Sequence, residues 1–103
     1  MKAGTDIVKI SRIEKSIKNP RFLDSVYTEK EREYCKNSQS LAGLFAAKEA
    51  YLKALGCGID RRLSSIEIDH NEKGKPFISG DESCDLSISH DGDYAVAFVI
   101  IWG

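Results

Sequence analysis

Two charged residues interrupt the apolar side of a predicted helix in the stretch FAAKEAYLKALG, residues 45–56. Apolar residues recur there at helical spacing, and at about 100° per residue Lys48 falls in the middle of this stripe and Glu49 at its edge. A buried, unpaired ammonium group is costly. The ammonium group of Lys48 must therefore reach either water or an anion. It could reach water by snorkelling at a subunit interface, and the anion could be a phosphate bound in a cleft.

Asp6 and Glu49 are the carboxylates that could hold a metal ion. Asp6 precedes the apolar pair Ile7-Val8, so it also fits a turn or cap at the start of a strand. Glu49 lies four residues before Lys53, an order that favours an ion pair on a helix surface. Two carboxylates are too few for an all-protein calcium cage, but they suit Mg²⁺, which keeps waters and takes further ligands from substrate phosphates.

His90 ends the stretch SISH, residues 87–90. In a predicted strand it lies on the same side as Leu86 and Ile88, at the strand end. Its imidazole could therefore make a structural hydrogen bond or contact a ligand. The sequence contains no Gly-x-Ser-x-Gly elbow and no Walker loop. Neither a serine-hydrolase nucleophile nor a P-loop is predicted.

The charge of the chain is uneven. The net charge of −1 over 103 residues argues against general nucleic-acid binding. Residues 1–22 nevertheless carry an excess of basic side chains over Asp6 and Glu14. This basic face suits an acidic partner or a phosphate ligand, although a solvated helix face would look the same. Its basic residues are Lys2, Lys9, Arg12, Lys15, Lys18 and Arg21.

The cysteines and the hydropathy pattern indicate the compartment. Cys35, Cys57 and Cys84 are odd in number, widely spaced and without a Cys-x-x-Cys pair, which argues against a disulfide framework and a zinc site. No signal peptide is visible, and the longest apolar run, Ala95 to Trp102, is too short to cross a membrane. We therefore predict a cytoplasmic protein.

Helix signals dominate the first half of the chain after a short strand. The stretch TEKE, residues 28–31, has the capping-box pattern and predicts a helix to about Asn37. Ser40 is the predicted N-cap of the next helix, and Gly56 is its predicted end. The strand and the first helix are predicted over residues 5–10 and 11–18.

Alternation of apolar and polar residues marks the second half. It predicts strands around residues 66–68 and 86–88, with a turn between them in which Gly74 takes positive φ. A hairpin at residues 91–93 leads into the apolar run YAVAFVIIW. We predict an α+β fold, with a helical N-terminal half packed on an antiparallel sheet, in a single domain over residues 1–103.

The order and spacing of these motifs resemble those of the holo-[acyl-carrier-protein] synthases, the short class of 4′-phosphopantetheinyl transferases. The resemblance runs from about residue 4 to residue 101. Its most specific part is the F-A-A-K-E-A-x-x-K-A-L-G block followed by S-x-S-H. The other matching segments are GTDIV at 4–8, RI at 12–13, YTEKE at 27–31 and GKP at 74–76.

The resemblance implies transfer of the 4′-phosphopantetheine arm of coenzyme A to a serine of apo-acyl carrier protein, in support of fatty acid biosynthesis. Adenosine 3′,5′-bisphosphate is the product that leaves. Asp6 and Glu49 are expected to bind Mg²⁺, which also grips the coenzyme A pyrophosphate. Glu49 and Lys53 are the expected catalytic residues, and Glu49 or a water held by the metal takes the serine proton. A homotrimer with coenzyme A between neighbouring subunits is also implied.

The resemblance assigns the remaining site residues by position. Arg12 and Arg21 match positions that contact the acidic recognition helix of the carrier protein. The expected coenzyme A contacts are Lys48, Lys53, Gly74, Lys75, Pro76 and His90.

Two other classes of function stay open at this point. A small Mg²⁺-dependent phosphohydrolase would use Asp6, Glu49 and His90 with a water nucleophile and no protein partner. A non-catalytic domain that binds an acidic protein would use the basic face alone. Incubation with coenzyme A, Mg²⁺ and apo-acyl carrier protein separates the three by the mass gained by the carrier.

Overall fold

A computed structural model describes residues 1–56 and 62–103 of the chain. Cys57, one of the three cysteines considered above, lies outside the described residues. No helix in the described ranges is long and apolar enough to cross a membrane. The elements are β1 (Lys2–Lys9), α1 (Ile10–Ser16), α2 (Pro20–Val26), α3 (Glu29–Tyr34), α4 (Ser38–Leu55), a short 3-10 helix (Leu63–Ser65), β2 (Ile68–His70), β3 (Pro76–Ile78), β4 (Cys84–Asp91) and β5 (Tyr94–Ile101).

The main sheet has three antiparallel strands in the order β1-β5-β4, so the first and last strands of the chain are neighbours. In this register Asp6 lies opposite Ala97, which lies opposite Ile88. Strands β2 and β3 form a separate two-stranded sheet. The predicted α+β fold, with helices of the N-terminal half packed on an antiparallel sheet, is confirmed.

Helix α4 packs closely on the sheet because small residues form much of its buried surface. Ala46, Ala47 and Ala50 are fully buried. On the facing strand, a Cβ at Gly4 would lie 2.0 Å from the carbonyl oxygen of Ala50, a distance at which atoms overlap. Only glycine allows β1 to approach α4 this closely. Asp6 follows two residues later on the same side of β1, so it also faces α4.

One end of α4 lies where the sequence predicted it, and the other does not. Gly56 ends the helix as predicted, with a φ of 73° in the left-handed region. The predicted N-cap, Ser40, is wrong. Asn37 caps the helix, and its side-chain oxygen accepts a hydrogen bond from the backbone N–H of Ser40 at 2.7 Å. Asparagine caps a helix as well as serine does, and here it comes three residues earlier.

The sheet face opposite α4 is apolar and exposed. Ile7 is 62% exposed, Phe98 47% and Tyr94 44%. Val96 and Ile100 alternate with inward-facing residues of β5 and share this face. A row of large apolar side chains on one sheet face is typical of a surface that another protein covers.

Candidate active site

Strand β1 and helix α4 bring Asp6 and Glu49 close enough for their charges to interact. Both side chains are half-buried, and that of Asp6 is 16% exposed. Burial raises the pKa of Glu49, and the nearby Asp6 carboxylate raises it further. The Lys53 and Arg12 charges act in the opposite direction. This acidic pair is a site that a cation stabilises, because its two carboxylates repel each other.

Lys53 reaches Asp6 from the next turn of α4. Its Nζ donates to Asp6 Oδ1 at 2.9 Å and to the carbonyl oxygen of Thr5 at 3.1 Å. Among the residues that the structure describes, its ion pair is thus with Asp6 on β1, in place of the expected pair with Glu49. The close approach of β1 to α4 brings Asp6 within reach.

The two carboxylates fit the ion that the sequence implies. Mg²⁺ binds hard oxygen ligands and commonly uses one or two carboxylates, with water and substrate phosphates completing the shell. In residues 1–56 and 62–103 no three His, Cys, Asp or Glu side chains cluster as a metal site. Asp6 and Glu49 therefore suit a cation that arrives with a phosphate ligand better than a closed structural site.

The prediction that Lys48 contacts a coenzyme A phosphate is wrong. Its side chain is fully buried, and its Nζ donates to Glu31 Oε1 at 2.6 Å and to the carbonyl oxygen of Val26 at 2.5 Å. Burial lowers the pKa of Lys48, whereas the Glu31 partner acts to raise it. A buried carboxylate, and not water or phosphate, is the partner of this ammonium group.

The Glu31 carboxylate is the centre of a buried network. Besides Lys48, it accepts hydrogen bonds from the backbone N–H of Thr28 at 2.8 Å and of Ile68 at 2.8 Å. The Thr28 side chain in turn accepts from the N–H of Glu31 at 3.2 Å, so the predicted capping box is present. One glutamate therefore caps α3, neutralises the lysine of α4 and holds the first residue of β2. Sequence reasoning identified only the first of these roles.

His90 lies away from the acidic pair within one chain. Its Nε2 donates to the carbonyl oxygen of Gln39 at 3.0 Å. The ring lies against Gly43, where a Cβ would be 3.0 Å from Nε2. Gln39 and Gly43 precede Glu49 by ten and six residues on α4, which are about 15 Å and about 9 Å along the helix axis.

The predicted Gly74-Lys75-Pro76 contact is also remote from the acidic pair. Gly74 has the predicted positive φ, at 82°. Lys75 Nζ donates to Asp85 Oδ1 at 2.8 Å and to the carbonyl oxygen of Leu86 at 3.1 Å. The cleft beside Lys75 is also lined by Phe98, so it opens toward the exposed sheet face. The structure brings Asp6, Glu49 and Lys53 together, but it does not bring His90 or Lys75 to them.

The basic face is spread over β1, α1, α2 and the turn between the two helices. Arg12, Lys15 and Lys18 line one open cleft along α1, whereas Arg21 lies exposed on α2. The Arg12 guanidinium carbon lies 5.5 Å from the ring centroid of Phe45, one turn before Glu49 on α4. Arg12 therefore belongs both to the basic face and to the surroundings of the acidic pair.

Known proteins are similar to this chain in sequence and in fold. A family model described as the 4′-phosphopantetheinyl transferase superfamily matches residues 2–99. A holo-[acyl-carrier-protein] synthase of Caldanaerobacter subterraneus subsp. tengcongensis is 43% identical over 119 residues, covering 97% of this chain and 93% of the relative. The crystal structure of the Helicobacter pylori synthase in complex with coenzyme A is 37% identical, with a TM-score of 0.90 over 97% of this chain and 99% of that one. The Neisseria meningitidis synthase has a TM-score of 0.87 at 31% identity, covering 99% and 98% of the two chains.

Proposed function

The chain belongs to the 4′-phosphopantetheinyl transferase superfamily, and on this premise we propose that it has holo-[acyl-carrier-protein] synthase activity. It transfers the 4′-phosphopantetheine group from coenzyme A to a serine of apo-acyl carrier protein. The observation that carries the proposal is the similarity, over nearly the whole chain, to a synthase whose crystal structure contains coenzyme A. No relative described above supports the phosphohydrolase or the non-catalytic alternative.

The chemistry explains why the chain needs no nucleophile of its own. The serine oxygen of the carrier bonds to the phosphorus attached to pantetheine, and the bond from that phosphorus to the bridging oxygen breaks. Adenosine 3′,5′-bisphosphate leaves with the bridging oxygen. Phosphoryl transfer of this kind depends mainly on positioning and on neutralising charge.

We propose that Asp6 and Glu49 hold Mg²⁺. A bound Mg²⁺ neutralises and orients diphosphate oxygens. Lys53 is exposed, and its ammonium group lies beside Asp6, so it is placed to donate to a phosphate oxygen. The serine proton passes to Glu49, whose pKa is raised by burial and by Asp6, or to a water beside it.

We also propose a homotrimer with coenzyme A between neighbouring subunits. The apolar sheet face gives each chain a surface that other copies can cover, and a domain of this size has a modest core of its own. Lys75 and His90 lie far from the acidic pair of their own chain. Coenzyme A held at Asp6 and Glu49 of one subunit would meet Lys75, Gly74, Pro76 and His90 on its neighbour.

Replacing Phe98 by aspartate is expected to dissociate this trimer, because a charge would be buried in an apolar interface. Light scattering of the wild type should give three times the chain mass of 11.5 kDa, and Phe98→Asp should give a monomer without activity. Phe77→Asp, at an exposed apolar residue of β3, is the matched control and should stay trimeric. A wild-type monomer that is fully active would contradict the proposal.

We propose that Arg12 and Arg21 contact the acidic carrier protein. Charges at the rim of an interface mainly accelerate encounter, and salt screens them. Arg21→Ala is therefore expected to raise the KM for the carrier several-fold at low salt and less at moderate salt. The KM for coenzyme A should not change. Steady-state kinetics with each substrate varied in turn test this, and an unchanged carrier KM would leave Arg21 as a solvated surface residue.

Mass spectrometry of the carrier tests the activity itself. Incubation of apo-acyl carrier protein with the protein, coenzyme A and Mg²⁺ should add one 4′-phosphopantetheine group to the carrier. Cleavage of coenzyme A without a mass gain would indicate a phosphohydrolase, and no change in either would indicate a binding domain. We place the activity in the cytoplasm, where the free thiols of Cys35 and Cys84 are stable, and in support of fatty acid biosynthesis.

A further inference from the structure

Arg12 belongs to the basic face and also lies near the acidic pair. Helix α1, which carries it, directly follows β1, which carries Asp6. The Arg12 guanidinium lies over the ring of Phe45, 5.5 Å from its centroid, and this ring is only 7% exposed. Phe45 precedes Glu49 by four residues, so the ring and the carboxylate lie on the same side of α4. The exposed Arg12 side chain thus rests on a nearly buried ring beside the site.

The guanidinium lies near Glu49 but is not bonded to it. Within residues 1–56 and 62–103, the Arg12 side chain forms no hydrogen bond or ion pair, in contrast to Arg32, which pairs with Asp24. Its charge still acts on Glu49, whose pKa it lowers. Contact with a ring face leaves the N–H edges of a guanidinium free. Unused donors therefore lie near the two carboxylates, farther from Glu49 than an ion pair would be.

We propose that these donors bind the transferred phosphate of coenzyme A, so that Arg12 is a substrate contact as well as a carrier contact. This inference rests on the function proposed above. The fixed N–H fork of arginine matches two phosphate oxygens, and no ion pair with Glu49 occupies the fork in the described residues. The phosphate would then meet positive charge from Arg12 on the side of α1, as well as from Lys53 and from a cation held by Asp6 and Glu49.

The direction of carrier approach identifies which phosphate Arg12 contacts. The carrier is proposed to contact Arg12 on α1 and Arg21 on α2, so its serine oxygen arrives from the side of these helices. In-line displacement places the leaving oxygen on the opposite side of the phosphorus. The phosphate nearer α1 is then the one attached to pantetheine, and adenosine 3′,5′-bisphosphate departs on the far side. Arg12 would contact the phosphate that stays with the carrier.

Calorimetric titration in the presence of Mg²⁺ and without carrier tests this assignment. Arg12→Ala should weaken coenzyme A binding about tenfold, the value of one charged hydrogen bond. The affinity for adenosine 3′,5′-bisphosphate, which lacks the transferred phosphate, should stay the same. Arg12→Lys keeps the charge without the fork and should recover only part of the coenzyme A affinity. In turnover, kcat should fall for Arg12→Ala together with the rise in carrier KM.

Arg21→Ala is the matched control, because it removes the same charge from an exposed position on α2. It should leave both ligand affinities unchanged. If the wild type binds coenzyme A and Arg12→Ala binds it equally well, Arg12 is a carrier contact alone and the inference is wrong. Equal losses for both ligands would place Arg12 at the nucleotide and also overturn it. A wild type that neither binds coenzyme A nor modifies the carrier would instead refute the proposed function.

Discussion

Glu49→Gln and Asp6→Asn are each expected to reduce phosphopantetheine transfer about 100- to 1000-fold, because a catalytic metal ion contributes several kcal/mol. Each amide keeps the shape of the side chain and removes the charge that a divalent cation needs. The fold should persist, since both side chains are half-buried and lie outside the hydrophobic core. In the absence of Mg²⁺, Glu49→Gln should even unfold at a higher temperature, because burial and Asp6 both disfavour the Glu49 charge.

The measurement is turnover at saturating Mg²⁺ together with thermal unfolding without Mg²⁺. Glu33→Gln removes one carboxylate from an exposed position of α3 and serves as the control for net charge. Its turnover and melting temperature should match those of the wild type. If either site variant kept near-wild-type turnover at saturating Mg²⁺, that residue would not be a metal ligand.

The sequence predicted those helix ends and turns that are determined by neighbouring residues. The capping box at Thr28 and the positive φ of Gly74 are present in the structure. Helix α2 was not predicted, although Asn19 caps it and Pro20 begins it, because the basic residues of this region suggested a single helix face. Strand β1 begins at Lys2 and not at residue 5, because pairing with β5 along its whole length extends it. Such pairing depends on residues more than 90 positions away and leaves no local pattern.

In the candidate site, too, local signals were predictable and contacts between distant residues were not. Family resemblance selected Asp6 and Glu49, and the structure shows how Gly4 lets the two elements approach. Helical periodicity correctly placed Lys48 on the buried side of α4, but periodicity does not identify a partner on another element. The capping box accounts for Glu31 locally, and no local pattern indicates that it also pairs with Lys48 or binds the backbone of Ile68.

Lys48→Met is expected to lower the free energy of unfolding by about 3–5 kcal/mol, because it leaves the buried Glu31 carboxylate without its cation. This is a large part of the stability of a small domain. The double variant Lys48→Met/Glu31→Gln should recover part of the loss, since the glutamine oxygen can still accept a backbone N–H and no charge is buried. Chemical denaturation of both single variants and the double variant gives the coupling energy of the pair.

The lysine one turn later provides the control, because Lys53 is exposed and lies beside Asp6 of the acidic pair. Lys53→Met should reduce activity while changing stability by less than about 1 kcal/mol, the usual value of an exposed ion pair. All variants must be compared at one protein concentration, because subunit association would add to the measured stability. If Lys48→Met kept full stability and lost coenzyme A affinity, the ammonium group would serve the substrate after all. If Lys48→Met instead lost stability and kept coenzyme A affinity, the two lysines of this motif would have different roles. Lys48 would neutralise a buried carboxylate, and Lys53 would act at the site.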